Sequence, residues 1–582
     1  MGWLGHKWTQ IVLIWAVLAV ALSASAIIAG NAPKVDGDDA MRLVGAIDLL
    51  NGQSWFDTTQ YRDNTPFGAS MHWSRLIDAP LVCLMKLFGP FAHEAAPYWS
   101  AFVWPLLVLL AVVVLLAELT ERVAGAEARL PALALLAMSI TVYSEFVPGR
   151  VDHHNVQIAL VLAMILGSVE GRRSTTWAIA AGFIAATGLA IGTEVLPSVV
   201  AVLVCFALYW AIEPERSRPQ VLAFAASFPT ALLLHLLIVS PAENWLKPAC
   251  DALSATYLLA GVCYGVAMLA AALASPILRH PALRLVTLGL LGLASATIVL
   301  WFFPECRGGP YGGLDADLAA ILFPEIGEAQ PVWTWASQLR PELAVMIAPV
   351  MGMATALLAP AIVPADQRWR WLVLAGFCLA LFLVFCLQVR GFRLLSIAIL
   401  PASAWLVTRV WAWFHRRQTL ASAATAGVTF LAFAGAVHWS LSTHVFAAMS
   451  SMAPTLFGKK IENCFERRAY EPLAALPPGR LMSFLLIGPQ LLLETPHAVV
   501  SAGYHRNEAG LRDVVRFFGG GESQARAVAK ERRLDYLVFC RGLPPDGALA
   551  GVPEFQGLPW PWLVPISPPE APLQIYAIDL QR

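Results

Sequence analysis

About thirteen apolar runs, each close to the twenty residues that a helix needs to cross a hydrocarbon core, follow one another between residues 10 and 445 of this 582-residue chain. Their centres lie near residues 20, 108, 138, 163, 185, 205, 230, 265, 294, 352, 380, 403 and 432. A soluble globule has no place for so much apolar length, and 58% hydrophobic against 13% charged residues agrees. The fold class that follows is a polytopic α-helical membrane protein. Ser23-Ala24-Ser25-Ala26 offers the small residues of a signal-peptide cleavage site. That first run is long, however, and only Lys7 precedes it, so an uncleaved anchor is expected.

Basic residues set the orientation, because Lys and Arg in short loops stay on the cytoplasmic side. Lys7, Arg122, Arg172, Arg173, Arg279, Arg284, Arg368, Arg370, Arg416 and Arg417 all fall on one side of the alternating loops. The N-terminus is therefore expected inside, and the segments around Asp39, Asp152 and Glu328 outside. A bacterial inner membrane with a periplasmic outer face is the expected setting. Arg150, Arg390 and Arg393 sit against the bias, and a negatively charged ligand on the outer side accounts for them.

Past Phe446 the apolar runs shorten. Residues 1–445 are expected to form a transmembrane domain with a first outer loop at 31–95 and a mobile outer loop at 305–341. Residues 446–582 are expected to form a small α/β domain on the outer side. Arg480 to Ile487, Ala498 to Tyr504, Asp535 to Cys540 and Leu573 to Ile578 read as strands, Leu511 to Phe518 and Ser523 to Arg532 as helices. Of nine cysteines, Cys83, Cys205, Cys263, Cys378 and Cys386 lie in apolar segments and read as packing residues. Cys250, Cys306, Cys464 and Cys540 fall on the outer side, where disulfides persist. Cys250–Cys306 with Cys464–Cys540 is one arrangement open to them.

The polar chemistry gathers in islands. The first begins Asp36-Gly37-Asp38-Asp39-Ala40-Met41-Arg42 and runs through Trp55-Phe56-Asp57 to His72-Trp73-Ser74-Arg75. Leu43, Val44, Ile47 and Leu50 recur at helical spacing and Asn51-Gly52 is a stop, so Asp39 stands in the first turn of an amphipathic helix along the membrane surface. Asp36 and Asp38 suit helix capping. Asp39 and Arg42 share a face and suit each other or a ligand. The second island is Gly149-Arg150-Val151-Asp152-His153-His154, where carboxylate beside imidazole offers cation ligands or a proton relay. Asp152 as a plain helix cap is the alternative there. Glu194, near the outer end of a span, is an ionisable group at membrane depth and marks function. The outer loop brings Glu328 close to Trp333 and Trp335 and suits a gate over a site. Arg390 and Arg393 present planar forks that match phosphate.

In order and spacing these islands resemble the GT-C superfamily of polyprenyl-phosphate-dependent glycosyltransferases, and within it the catalytic subunit of oligosaccharyltransferase. The segments that carry the likeness are Asp39 to Arg42, Trp55 to Asp57 with Gly68, Gly149 to His154, Glu328 to Trp333, and Arg393 to Pro401. The family's WWD signature, which reads an acceptor peptide, is absent from the C-terminal segment. The resemblance implies transfer of a sugar from a polyprenyl phosphate or pyrophosphate donor to a lipid, glycan or protein acceptor, as in the building of cell-envelope glycan. It implies Asp39, Asp152 and Glu328 as catalytic residues and Arg393, Arg390 and Arg42 as holders of the donor phosphate. Asp36, Asp38, His72, Arg75, Arg150, His153, His154 and Glu194 are further candidates. In a metal-dependent reaction Asp39, Asp152, His153 and Glu328 would bind Mg²⁺ or Mn²⁺; otherwise Asp39 is a general base and the arginines stabilise the leaving phosphate. Membrane lipids and the lipid-linked donor are the expected partners, and nucleic acid is not. A secondary transporter is the alternative from another class. Against it, the chain shows no repeated halves and its ionisable residues cluster at one face.

Overall fold

The computed structural model describes residues 6–28, 35, 37–312, 314–322, 326–338, 340–452, 464, 466–541 and 560–582. Asp36 lies outside the described residues. Among them, nine helices are long and apolar enough to cross a membrane, three further helix pairs qualify as spans broken at a bend, and the 17-residue helix Thr175–Ile191 falls just short. Every apolar run of the sequence thus corresponds to a helix or a broken helix. One break, of 47°, separates Val389–Ala398 from Leu400–Arg417, where Pro401 lacks the N–H that would continue the ladder.

The helix Gly37–Leu50 forms where the apolar spacing calls for it, but it is covered by protein on two sides. Ala40, Leu43 and Ala46 pack with Ile77, Leu81 and Val151 of the transmembrane part. Met41 and Val44 pack instead with Leu481, Ile487 and Leu491 of the C-terminal part. The helix is a wedge between two protein layers.

A two-stranded hairpin of β1 (Thr59–Gln60) and β2 (Ala69–Ser70) follows it. The C-terminal sheet comprises β3 (Arg480–Ser483), β4 (Ala498–Val499), β5 (Tyr536–Cys540), β6 (Leu563–Pro565) and β7 (Leu573–Ile578), in the order β4-β3-β5-β7-β6. β4, β3 and β5 are parallel, and β7 and β6 are antiparallel additions. Helices Glu508–Gly519 and Gly521–Arg532 cover one face through Phe517, Phe518 and Val528. The strand expected from Arg480 to Ile487 stops at Ser483, because Gly488-Pro489 opens the helix Gly488–Glu494. The boundary expected at residue 446 falls inside the helix Gly435–Met452. Cys250 is bonded to Cys306 and Cys464 to Cys540.

The hairpin turn joins the sheet edge: Val499 N–H donates to Arg62 O at 2.8 Å and Thr65 N–H to Val499 O at 3.0 Å. Asp63, fully buried there, accepts from the N–H groups of Asn64 and Ala502 and from Asn507 Nδ2 at 2.9–3.0 Å. Burial outweighs these donors and pushes its carboxyl up to about 6. A carboxyl raised in the folded state holds its proton more tightly there, so its contribution is complete below about pH 4 and is lost as pH rises through about 6. Asp63→Asn removes the charge and keeps an acceptor. It is expected to gain at most about 3 kcal/mol over the parent at pH 7 and nothing near pH 4. Thermal unfolding of both proteins in detergent across that range checks this; a difference independent of pH would clear the carboxyl of responsibility.

Candidate active site

One cavity of about 290 Å³ collects half of the sequence candidates: Asp38, His72, His153, His154, Glu194, Glu328 and Arg390 line it, together with Tyr311, Tyr504 and His505. Segments separated by hundreds of residues meet at this wall.

The turn before Asp152 is shaped by Gly149, whose φ of 110° favours glycine. Asp39 holds this turn in place. Its buried carboxylate accepts from the backbone N–H of Val151 at 2.7 Å and Asp152 at 2.8 Å through Oδ1, and from Arg150 Nη1 at 2.5 Å through Oδ2. Asp39, expected at the reacting centre, is therefore turned into the protein and absent from the cavity wall. Successive helix residues point about 100° apart, so its neighbour Asp38 faces the cavity. Asp38 Oδ1 accepts the Tyr504 hydroxyl at 2.9 Å.

Asp152, buried at the next helix start, contacts His153 Nδ1 through one carboxylate oxygen and His154 Nδ1 through the other. Ligand atoms of all three lie within 4.8 Å of one another. His153 Nε2 meets Glu194 Oε2 at 2.8 Å, and Gln157 Nε2 donates to the same oxygen at 2.6 Å. Burial alone would lower the His153 pKa, but Asp152 and Glu194 prevail and raise it to about 10. Burial likewise opposes ionisation of Asp152, yet the two imidazoles hold it well below the usual carboxylate range. With its Nδ1 on Asp152, His154 keeps a buried Nε2 that has no hydrogen-bond partner. A buried carboxylate, an imidazole with one unpartnered nitrogen and the nearby Asp38 and Glu328 fit a divalent cation, and imidazole in the set favours Mn²⁺ over Mg²⁺.

The arginines divide in two groups. Arg393 is buried between Glu328 Oε2, 2.5 Å from Nη2, and Glu145 Oε1, 3.4 Å from Nη1. Glu145 also accepts from Arg150 Nη2 at 2.8 Å, so one ion ladder runs from Asp39 through Arg150, Glu145 and Arg393 to Glu328. Arg390 faces the cavity with Nε and Nη2 buried and without a hydrogen-bond partner, its Nη1 3.8 Å from Glu194 Oε1. Arg42 lies under Trp73, 4.5 Å from the ring, and pairs with Asp78 at 3.1 Å. Arg75 pairs with Asp78 at 3.0 Å, and neither Arg42 nor Arg75 lines the cavity. The outer loop is seated on this wall, with Val389 N–H donating to Gln330 O at 2.9 Å. Burial works against the Glu328 charge, but Arg393 leads the groups that keep its pKa below the usual value.

The sequence matches no protein-family model and no curated protein. Its shape does have solved counterparts. The oligosaccharyltransferase AglB of Archaeoglobus fulgidus, in complex with an inhibitory peptide and a dolichol-phosphate, superimposes with a TM-score of 0.67 at 12% identity, over 92% of this chain and 69% of that one. The chain shares the fold of this archaeal protein. The same archaeal enzyme tethered to an acceptor peptide containing the NVT sequon gives 0.67 at 13% identity, covering 93% and 70% of the two chains. Its complex with Zn and sulfate gives 0.61 at 13%, covering 91% and 68%.

Within this shared fold the structure adds groups that sequence reasoning passed over. Glu145 carried a signal, an ionisable residue inside an apolar run. Tyr504 and His505 carried none, because only the seating of the C-terminal sheet on the first outer loop brings them to the cavity.

Proposed function

We propose that this integral-membrane protein is a glycosyltransferase that moves a sugar from a polyprenyl phosphate or pyrophosphate carrier to a lipid, glycan or protein acceptor on the outer face of a bacterial inner membrane. In this reading the N-terminus is cytoplasmic, and residues 1–445 form the catalytic membrane domain below a periplasmic domain of residues 446–582. The observation that carries the reading is the cavity in which Asp38, His154, Glu194 and Glu328, with Asp152 just behind His154, share a wall with Arg390, whose Nε and Nη2 have no hydrogen-bond partner. A relative of the same fold is seen with a dolichol-phosphate, which supports a lipid-linked donor.

Arg390 grips the carrier phosphate through its free N–H groups. Asp152 and His154, with Asp38 and Glu328, would hold a divalent cation, of which Mn²⁺ is the best match. His153 has both nitrogens engaged, by Asp152 and Glu194, and orients that set. The cation, when bound, neutralises charge on the departing phosphate. With a monophosphate donor and no cation, Asp38 takes the acceptor hydroxyl proton in place of Asp39. Glu328 reaches the centre on the outer loop, held there by Arg393.

Incubating the purified protein with labelled polyprenyl-linked sugars and a membrane lipid extract tests the reading. Label moved to a new product supports it, and failure to consume or bind any such donor sinks it. Arg390→Ala is expected to weaken donor use by about 1.5–3 kcal/mol, the worth of one charge-assisted hydrogen bond, and Arg390→Lys by less. Unchanged donor dependence in both variants would remove Arg390 from the phosphate.

A further inference from the structure

We propose that His72, Asp251 and His505 form a second divalent-metal site, of the zinc class, distinct from the Asp152 cluster and independent of the transfer reading. Their ligand atoms lie within 4.8 Å of one another. His505 Nε2 and Asp251 Oδ2 are hydrogen-bonded at 2.7 Å. The His72 ring stands 4.7 Å from the His505 ring, and its Nδ1 is buried with no hydrogen-bond partner. Two imidazoles and one carboxylate are a three-ligand set that zinc accepts when its fourth position stays open. The ion would take the place of the hydrogen bond between His505 and Asp251 and satisfy the unpartnered His72 Nδ1. Bonds of about 2.0–2.2 Å require only a modest closure of the three side chains.

The surroundings fit a built site. Arg506 grips the Asp251 carboxylate from behind, Nε to Oδ2 and Nη2 to Oδ1, both at 2.8 Å. Outer partners of this kind fix a ligating carboxylate in orientation. Cys250, adjacent to Asp251, is bonded to Cys306, which fastens the Asp251 loop to the segment carrying Tyr311. The three ligands come from the first outer loop, the loop after the helix Pro214–Val239 and the C-terminal domain, so one ion ties these parts together. They border a second cavity of about 490 Å³ that shares His72, Trp73, Tyr311 and His505 with the first.

The test uses the full-length protein, stripped with chelator, loaded with Zn²⁺, desalted and assayed for bound metal by atomic emission. In an Asp152→Asn background, which disables the first cluster, the protein is expected to keep one zinc per chain, and adding His72→Asn or His505→Asn is expected to remove it. Equal zinc content with and without those substitutions overturns the proposal and leaves the three residues as an ion-paired strut. Should the doubly substituted proteins fail to fold, the Asp152→Asn protein alone decides. Zn²⁺ is expected to raise its thermal midpoint, and the absence of any rise overturns the site.

Discussion

Asp38→Asn is expected to lower sugar transfer about 10³-fold or more, about 4 kcal/mol of transition-state stabilisation, with little change in stability. The carboxylate faces the cavity at the open end of its helix and accepts a hydrogen bond from Tyr504. Asparagine accepts that hydroxyl and caps a helix about as well as aspartate. Only the negative charge disappears, and that charge is what a cation or an acceptor proton requires. Asp152→Asn is expected to match the loss of transfer, since its carboxylate is the hub of both imidazoles. Transfer rates from labelled lipid-linked sugar, read beside thermal unfolding of the same preparations, separate chemistry from folding. Near-parental turnover in Asp38→Asn would return it to a helix cap.

The choice between Asp38 and Asp39 shows how far the sequence reaches. The i, i+3 spacing of Asp39 and Arg42 correctly puts them on one face of a helix. It carries no information about what that face meets. Both side chains are in fact buried: Asp39 on the turn at Val151 and Asp152, Arg42 beneath Trp73 and beside Asp78. The face one residue earlier looks into the cavity. Arg390 and Arg393 repeat the lesson. The bias against outward arginines marked both, but Glu145, hidden in an apolar run, claims Arg393, whereas Arg390 keeps Nε and Nη2 without a hydrogen-bond partner.

What depends on local period was legible: the apolar runs, the helix Gly37–Leu50 and most strands of the C-terminal sheet. What depends on two distant surfaces meeting was not. No spacing in the sequence predicts that Tyr504 reaches Asp38, or that Met41 and Val44 belong to the same core as Leu481 and Leu491.

Asp39→Ala is expected to destabilise the folded protein by about 3 kcal/mol, the lower end of the 3–5 kcal/mol range for breaking a buried ion pair, because Arg150 keeps Glu145 and some solvent contact. The loss has three parts. Arg150 gives up its shortest charged contact, and the N–H groups of Val151 and Asp152 lose their acceptor. The turn they belong to then no longer presents Asp152 and His154 to the cavity, so transfer falls with it. Asp39→Asn keeps an oxygen for the two N–H groups but sets an amide NH2 against Arg150 Nη1, and is expected to recover only part of both stability and transfer. In this pattern activity follows stability across the Asp39 series, whereas in Asp38→Asn activity is lost at full stability. Denaturant or thermal unfolding in detergent, paired with transfer rates, distinguishes the two. An Asp39→Asn protein as stable as its parent but wholly inactive would mean that the Asp39 charge acts on the reaction itself, and the division of labour between the neighbouring aspartates would have to be reversed.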